Sequence, residues 1–416
     1  MRGARRQRAV TQAPAVTLGR TKMSETVRAL FFNEGNLDTH VLGHGQLDAA
    51  IRAGLASAPD VEARFAGIPA LTGLADTLAR RQVRLLRKRD LDLLVLRWQL
   101  VQSARARRAL KRALAEWPAD VVHLYTPAVA FTMPDVMRET PVVLSLDTTV
   151  HDWWAMPAWR RTWPHAELTI APSRALERRA LRRAALVLAR TAWARRAAEQ
   201  EAPGVRVLEH HPGIDLDHFK PAAHRERERP RVLFVGGRFA EKGGEDLLAA
   251  LDGLLGSELE LDVVTADPVA ERPGVRIHRL TREDPRLLDL QQQADVACLP
   301  THGDTNPWTI TEAMACGTPM VSTRVGGIPD LLGDGEAGVL VPHGDRAALR
   351  EALLALARDP DRRRQLGAGA RARAEQRYDA RRQFGALVGH MQEAIERHRA
   401  GQRRATADAM APAAAR

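Results

Sequence analysis

Residues 231–250 read RVLFVGGRFAEKGGEDLLAA. A β-branched, apolar run reaches Gly236 and Gly237. A short basic turn then carries Arg238 and Lys242, and Gly243 and Gly244 lead into a helical pattern starting near Glu245. Strand, glycine turn and helix in this order form the unit of parallel α/β sheets. Glycines at such a turn let the backbone approach a ligand. The helix start offers free N–H groups and the positive end of its dipole. Arg238 and Lys242 add charge that can pair with phosphate oxygens. An ordinary βα connection with two exposed basic residues has the same pattern when taken alone. The spacing fits neither a Walker loop nor G-x-G-x-x-G.

The alternation extends outward in both directions. Strand-type runs are expected at 27–32, 120–125, 141–146, 168–172 (LTIAP) and 185–189. Beyond the opening stretch they recur at 259–265, 275–280, 294–300, 318–323 and 338–342. Helical patterns fill most gaps, which gives an α/β class with parallel sheets. At 416 residues the chain exceeds what one hydrophobic core usually serves. The polar stretch 209–230, with Pro212, Pro221, Pro230 and the charge run HRERERP, is the expected linker. A first domain is expected over 23–208 and a second over 231–374. A helix over 375–399 is expected to cross back to the first domain, with disordered tails at 1–22 and 400–416.

Composition narrows the function classes. No apolar run reaches the 18 residues of a membrane span, and no apolar stretch follows the basic N-terminus as in a secretory signal. Cys298 and Cys316 match no zinc spacing. They read as small buried residues in a reducing, cytoplasmic compartment, and no metal site is expected. The net charge of +11 is carried mostly by arginine. No zinc-finger, RRM or KH signature accompanies it, so nucleic acid is not an expected partner. Arg80, Arg84, Arg87 and Lys88, and then Arg105, Arg108 and Arg112, fall at helical spacing. They describe a solvated helix face or a peripheral contact with anionic lipid.

The second informative stretch is HGDTNPWTITEAMACG, residues 302–317. It follows an expected strand. Asn306 suits an N-cap and Pro307 the first helical turn, and Gly317 closes the helix at C′. Asp304 sits before the helix and Glu312 about a turn and a half into it. Carboxylates so placed can accept charged hydrogen bonds from sugar or ribose hydroxyls. Each is also compatible with a simpler role, Asp304 as a capping group and Glu312 as a surface residue.

Over residues 205–385 the chain resembles the retaining family 4 glycosyltransferases of GT-B fold. The likeness rests on Arg238 and Lys242 in the glycine turn and on two acids seven residues apart, Asp304 and Glu312. It also rests on EAMACGTPMVSTRVGGIPDLL and on the linker HHPGIDLDHFKP. The family usually has Glu where this chain has Asp304. The resemblance implies two Rossmann-like domains facing across a cleft and a nucleotide-sugar donor (a UDP-, GDP- or ADP-sugar). Gly236, Gly237, Arg238 and Lys242 would hold the diphosphate, and Asn306, Pro307 and Trp308 the sugar or phosphate through backbone N–H groups. Asp304 would contact the sugar, Glu312 the ribose, and His278 would lie beside the base. No cofactor or metal is implied, because the basic pair supplies the charge.

The first domain is less specific. By the resemblance, Gly43, His44 and Gly45 would border the acceptor and the donor phosphates, with a helix starting near Gln46. Asp147 stands about where the family carries a catalytic-site His, and His151 lies four residues on. Either His151 or the donor phosphate itself would take the acceptor's proton. His123 reads as structural, and Trp153, Trp154, Trp159 and Trp163 as packing. The implied reaction is transfer of a hexose-type sugar to a hydroxyl of a glycan, a lipid-linked carrier or a small molecule. Epimerisation of a nucleotide sugar, or binding without turnover, are the alternatives on the same fold.

Overall fold

A computed structural model describes residues 26–33, 44–68, 93–159, 166–223 and 227–410. The expected N-terminal tail, Gly43, residues 80–92 of the basic stretch and Trp163 lie outside them. The first domain runs β1 (Val27–Asn33), α1 (His44–Leu55), β2 (Val61–Gly67), α2 (Leu94–Glu116), β3 (Val121–Leu124), α3 (Val136–Glu139) and β4 (Val142–Leu146). It continues with α4 (Val150–Ala155), α5 (Ala166–Arg183), β5 (Leu186–Ala189), α6 (Ala192–Glu201) and β6 (Val207–Glu209). The second runs β7 (Arg231–Val235), α7 (Gly244–Ala250), β8 (Glu260–Val264), β9 (Val275–His278), α8 (Pro285–Gln293), β10 (Val296–Leu299) and α9 (Trp308–Ala315). It ends with β11 (Met320–Thr323), α10 (Ile328–Leu331), β12 (Gly338–Val341), α11 (Arg346–Arg358) and α12 (Pro360–Arg377), and the last helix is α13 (Ala380–Met410).

Each domain holds a six-stranded parallel sheet. The orders are β2-β1-β3-β4-β5-β6 and β12-β11-β10-β7-β8-β9. The central strands β3, β4, β5, β10 and β11 are nearly all apolar because helices cover both faces. In the second sheet the order reverses between β7 and β10. That switch point is where ligands bind in open α/β folds, outside the carboxyl ends of the strands. The glycine turn follows β7, and residues 300–307 follow β10. The two informative stretches therefore leave adjacent strands at this one position.

The structure corrects four expectations. LTIAP is not a strand but lies in α5, with Pro172 inside the helix. Ile170, Ser173, Glu177, Ala180 and Leu181 are buried at helical spacing, and Leu168 is largely exposed, which a strand buried on both faces does not allow. The sheet instead takes β2, whose Glu62 and Arg64 alternate with Val61, Ala63 and Phe65 as suits an edge strand. Three-residue β6 was likewise unexpected. The helix expected over 375–399 is two helices broken at Tyr378–Asp379, and the second continues to Met410, through part of the expected C-terminal tail. Ala and Arg are strong helix formers, so composition that suggested disorder propagates the helix.

The break has a role. Ile214 bridges to Asp379, with Ile214 N–H to the Tyr378 carbonyl and Ala380 N–H to the Ile214 carbonyl at 3.0 Å. Both crossings of the chain between the domains are thus stitched side by side. Beyond it, Phe384, Leu387, Met391, Ala394 and Ile395 pack with Phe31, Leu47 and Ile51 in the core of the first domain.

Candidate active site

The glycine turn is set by close approach. Gly243 has φ +79°, and a Cβ there would lie 1.9 Å from the Pro300 carbonyl oxygen. Only glycine lets the turn seat against the end of β10. A Cβ on Gly237 would meet nothing, so that face of the turn is open. Lys242 is thereby aimed along the turn. Its Nζ lies 2.6 Å from Asp304 Oδ2 and 3.3 Å from the Gly303 carbonyl, and both side chains are mostly buried. Arg238 pairs with Glu241 at 2.8 Å and is half exposed, so it is free to swing to a ligand.

The loop after β10 is crossed by a second glycine pair. Gly326 has φ +54°, and a Cβ there would lie 2.1 Å from the Asp304 carbonyl oxygen. Gly327 N–H donates to the Thr305 carbonyl at 3.1 Å. Asp304 Oδ1 accepts from Thr305 N–H at 2.8 Å. Pro307, not Asn306, occupies the N-cap of α9, and no side chain caps it. Proline brings no N–H of its own, and the chain reverses at Thr305–Asn306 to meet the glycine pair. The Asn306 amide is buried instead, beside His211. Gly317 closes the helix with φ +72°, as its position predicts.

Glu312 is buried on α9. Gln291 Nε2 donates to its Oε2 at 2.8 Å, and Arg282 lies 3.6 Å from Oε1. Burial draws the Arg282 pKa below its usual value, and Glu312 opposes this. His278 ends β9, with Nε2 2.7 Å from Asp262 Oδ1 in the adjacent strand. The structure therefore joins Lys242 with Asp304, keeps Glu312 with Gln291 and Arg282, and ties His278 into the sheet.

On the first domain, α1 begins at His44, with Gly45 in its first turn. Asp147 follows β4 and reaches across the cleft, where Thr305 Oγ1 donates to its Oδ2 at 3.1 Å. His151 lies on α4 and faces Glu167, 3.9 Å away. His123 is structural, with Nε2 2.7 Å from Ser145 Oγ and its pKa pushed down to about 3 by burial. Trp153 and Trp159 stack at 3.9 Å, beside a loop where Ala158 N–H donates to the His302 carbonyl. Arg190, His210 and His211 were not singled out from the sequence. Arg190 follows a strand directly, and a charged residue at the carboxyl end of a parallel strand was the available signal.

Two family models match the chain, "Glycosyltransferase Family 4" over residues 68–218 and "Glycosyl transferases group 1" over 229–359. Together they cover part of each domain and most of the chain. The chain belongs to the family 4 glycosyltransferases of GT-B fold. Among similar curated proteins are two named D-inositol 3-phosphate glycosyltransferase. That of Xylanimonas cellulosilytica is 37% identical over 189 residues, 39% of this chain and 45% of its own. That of Streptomyces bingchenggensis is 30% identical over 195 residues, 40% of this chain and 43% of its own. The match thus spans less than half the length of these relatives. Among solved structures, sucrose-phosphate synthase from Thermosynechococcus elongatus has a TM-score of 0.69 at 18% identity, over 88% of this chain and 100% of that one. Anabaena HepE in complex with UDP and glucose has a TM-score of 0.60 at 16% identity, over 88% and 99%. These likenesses establish the fold.

Among the described residues no group of three or more His, Cys, Asp or Glu is arranged to hold a metal ion. No described helix is long and apolar enough to cross a membrane.

Proposed function

We propose that this protein transfers a hexose-type sugar from a nucleotide diphosphate sugar to an acceptor hydroxyl, with retention and without a metal ion. The observation that carries the reading is the convergence of Lys242, Asp304 and the uncapped start of α9 at the switch point of the second sheet. Breaking the sugar–phosphate bond leaves an oxocarbenium-like sugar and a diphosphate gaining negative charge. Preorganised cations and N–H groups there stabilise the transition state directly. Lys242 is already held at a carboxylate, so a diphosphate replaces one anion by another. Arg238 turns from Glu241 to join it. Asp304, anchored by Thr305 N–H, keeps lone pairs for the sugar. Glu312 receives the ribose hydroxyls on exchange with Gln291 or Arg282. Asp147 stands at the acceptor side of the same gap. Two buried free cysteines fit a reducing cytoplasm, and the exposed Arg108 and Arg112 on α2 would serve a peripheral contact with anionic lipid.

The test is incubation of the purified protein with UDP-, GDP- and ADP-sugars, with and without acceptors and with a chelator, following nucleotide, sugar and anomeric configuration. Acceptor-dependent release of nucleoside diphosphate, retained configuration and insensitivity to chelation are expected. An isomerised sugar, or saturable binding without turnover, would overturn the reading.

A further inference from the structure

One contact across the cleft falls on the residue between His302 and Asp304. Gly303 has no side chain, and the space where one would stand is filled from the first domain. A Cβ there would lie 2.7 Å from Ala158 Cβ, and 2.9 Å and 3.0 Å from Trp159 Cζ3 and Cη2. The edge of the Trp159 indole therefore rests on the backbone of the donor loop. Ala158 N–H donates to the His302 carbonyl at 3.0 Å and fixes the register of the contact. Trp153, on α4, stacks on Trp159 with ring centroids 3.9 Å apart and planes 11° from parallel. The indole is thus backed by a second ring. The segment is anchored in the first domain. Thr149 caps α4, Glu177 accepts from Val150 N–H, and Trp159 N–H donates to the carbonyl of buried Met156. Trp159 moves with the first domain, while Gly303 moves with the second.

Gly303 is part of the cation site. Its carbonyl accepts from Lys242 Nζ at 3.3 Å and from Thr301 Oγ1 at 3.0 Å, and the next residue, Asp304, holds the same ammonium at 2.6 Å. The other side of the loop is pressed as closely. A Cβ on Gly327 would lie 2.3 Å from the Thr305 carbonyl oxygen and 2.7 Å from Thr191 Cγ2 of the first domain. The loop that joins Lys242 to Asp304 is therefore clamped between the Gly326–Gly327 pair and the Trp159 edge. A side chain at residue 303 would hold the two domains apart at this point.

We propose that Trp159 is a positioning residue that closes the donor-sugar site against water, so that the sugar passes to the acceptor and not to solvent. The inference rests on the glycosyltransferase reading and adds what sets the fidelity of the transfer. Hydrolysis of the donor breaks the same bond as transfer, between the anomeric carbon and the diphosphate oxygen. The oxygen of water takes the place of the acceptor oxygen, one of its protons is released to solvent, and the nucleoside diphosphate leaves in both cases. Water is smaller than any acceptor, so it is rejected by filling space and not by withholding a contact. The apolar indole edge fills the space that Gly303 leaves, one residue from Asp304. Because the ring belongs to the first domain, the seal forms only when the cleft is closed, which ties donor cleavage to the closed state.

The test uses the full chain and the nucleotide sugar it turns over. Nucleoside diphosphate release is followed without acceptor, which reads hydrolysis, and with acceptor, where glycosylated product is counted in the same reaction. In Trp159→Ala the ratio of hydrolysis to transfer should rise about five- to tenfold, the worth of one aromatic contact. Trp159→Phe, whose smaller ring reaches part of the way, should fall between. Trp153→Ala, which removes the backing ring alone, should raise the ratio in the same direction. A merely structural role would lower both rates together and leave the ratio unchanged. Should Trp159→Ala not fold, Trp159→Phe and Trp153→Ala decide. An unchanged ratio in the folded variants, or a wild type that already hydrolyses donor as fast as it transfers, overturns this inference alone. Donor binding is measured separately by calorimetry. A protein that binds no nucleotide sugar overturns the glycosyltransferase reading and this inference with it.

Discussion

At the scale of single residues, two cations do different work although they are four positions apart. Lys242 is mostly buried and already bonded to Asp304, so it is pre-positioned. Arg238 is half exposed and must move. Removing either should cost about 2–4 kcal/mol of transition-state stabilisation, a loss of roughly 30- to 900-fold in kcat/KM. Steady-state kinetics of Lys242→Ala and Arg238→Ala check this, and near-wild-type turnover in either would refute its role. Gly243 is set by sterics instead of charge. A methyl group 1.9 Å from the Pro300 oxygen, at φ +79°, forces the turn off β10. Gly243→Ala should destabilise the fold by about 1–3 kcal/mol and lower donor affinity as Lys242 shifts. Thermal denaturation and nucleotide titration of this variant measure the two effects.

At the scale of elements, α4 carries His151 and is held by a buried carboxyl from α5. Glu177 accepts from Val150 N–H at 2.9 Å, and burial raises its pKa to about 8. Below the ordinary value of 4.5 both folded and unfolded forms hold the proton. Between 4.5 and about 8 only the folded form does, so this contribution declines as pH rises and is lost above about 8. Glu177→Gln keeps the acceptor oxygen without the titration. Relative to wild type it should gain on the order of 4 kcal/mol at pH 9 and little at pH 4.5. Denaturation midpoints across this range test the sign, and a pH-independent difference would show that burial does not control Glu177. Element type was legible in all six strands of the second domain, most plainly in β10 and β11, which are buried on both faces. It was illegible in β2, because an edge strand alternates polar with apolar residues, and in α5, because LTIAP is apolar over fewer residues than a helical period needs to show.

At the scale of the whole molecule, the cleft is drawn closed by a few polar contacts. Thr305 Oγ1 donates to Asp147, Ala158 N–H to the His302 carbonyl, and Trp193 N–H to Asp330 Oδ2. Arg196 lies 3.9 Å from the same Asp330 carboxylate. Asp330 thus places a negative charge at the start of α6, where the helix dipole favours it. A hydrogen bond to a charged group contributes about 1.5–3 kcal/mol. Asp330→Ala should therefore shift the balance toward an open form by roughly tenfold or more. Small-angle scattering should show a larger radius of gyration without nucleotide, narrowing on donor addition, with a raised donor KM. An unchanged radius in both states would show that closure does not depend on Asp330.

The amino-acid sequence by itself determined the class of fold, its two-sheet build and the places of the glycine turn and of α9. Each of these rests on short-range chemistry: β-branched runs make buried strands, and glycines make tight turns and close helices. Only the tertiary structure decided that Lys242 meets Asp304, that Gly326 makes room for the Asp304 carbonyl, and that Arg190 lies buried beside His123. Those pairs are 62, 22 and 67 positions apart. Contacts at such separation are set by how parallel strands are ordered and by how two sheets face one another, and neither leaves a periodic mark in the chain. The C-terminal helix shows the same division. Its helical composition was in the sequence, but its use as part of the first domain's core follows from the Ile214–Asp379 stitch that turns it back.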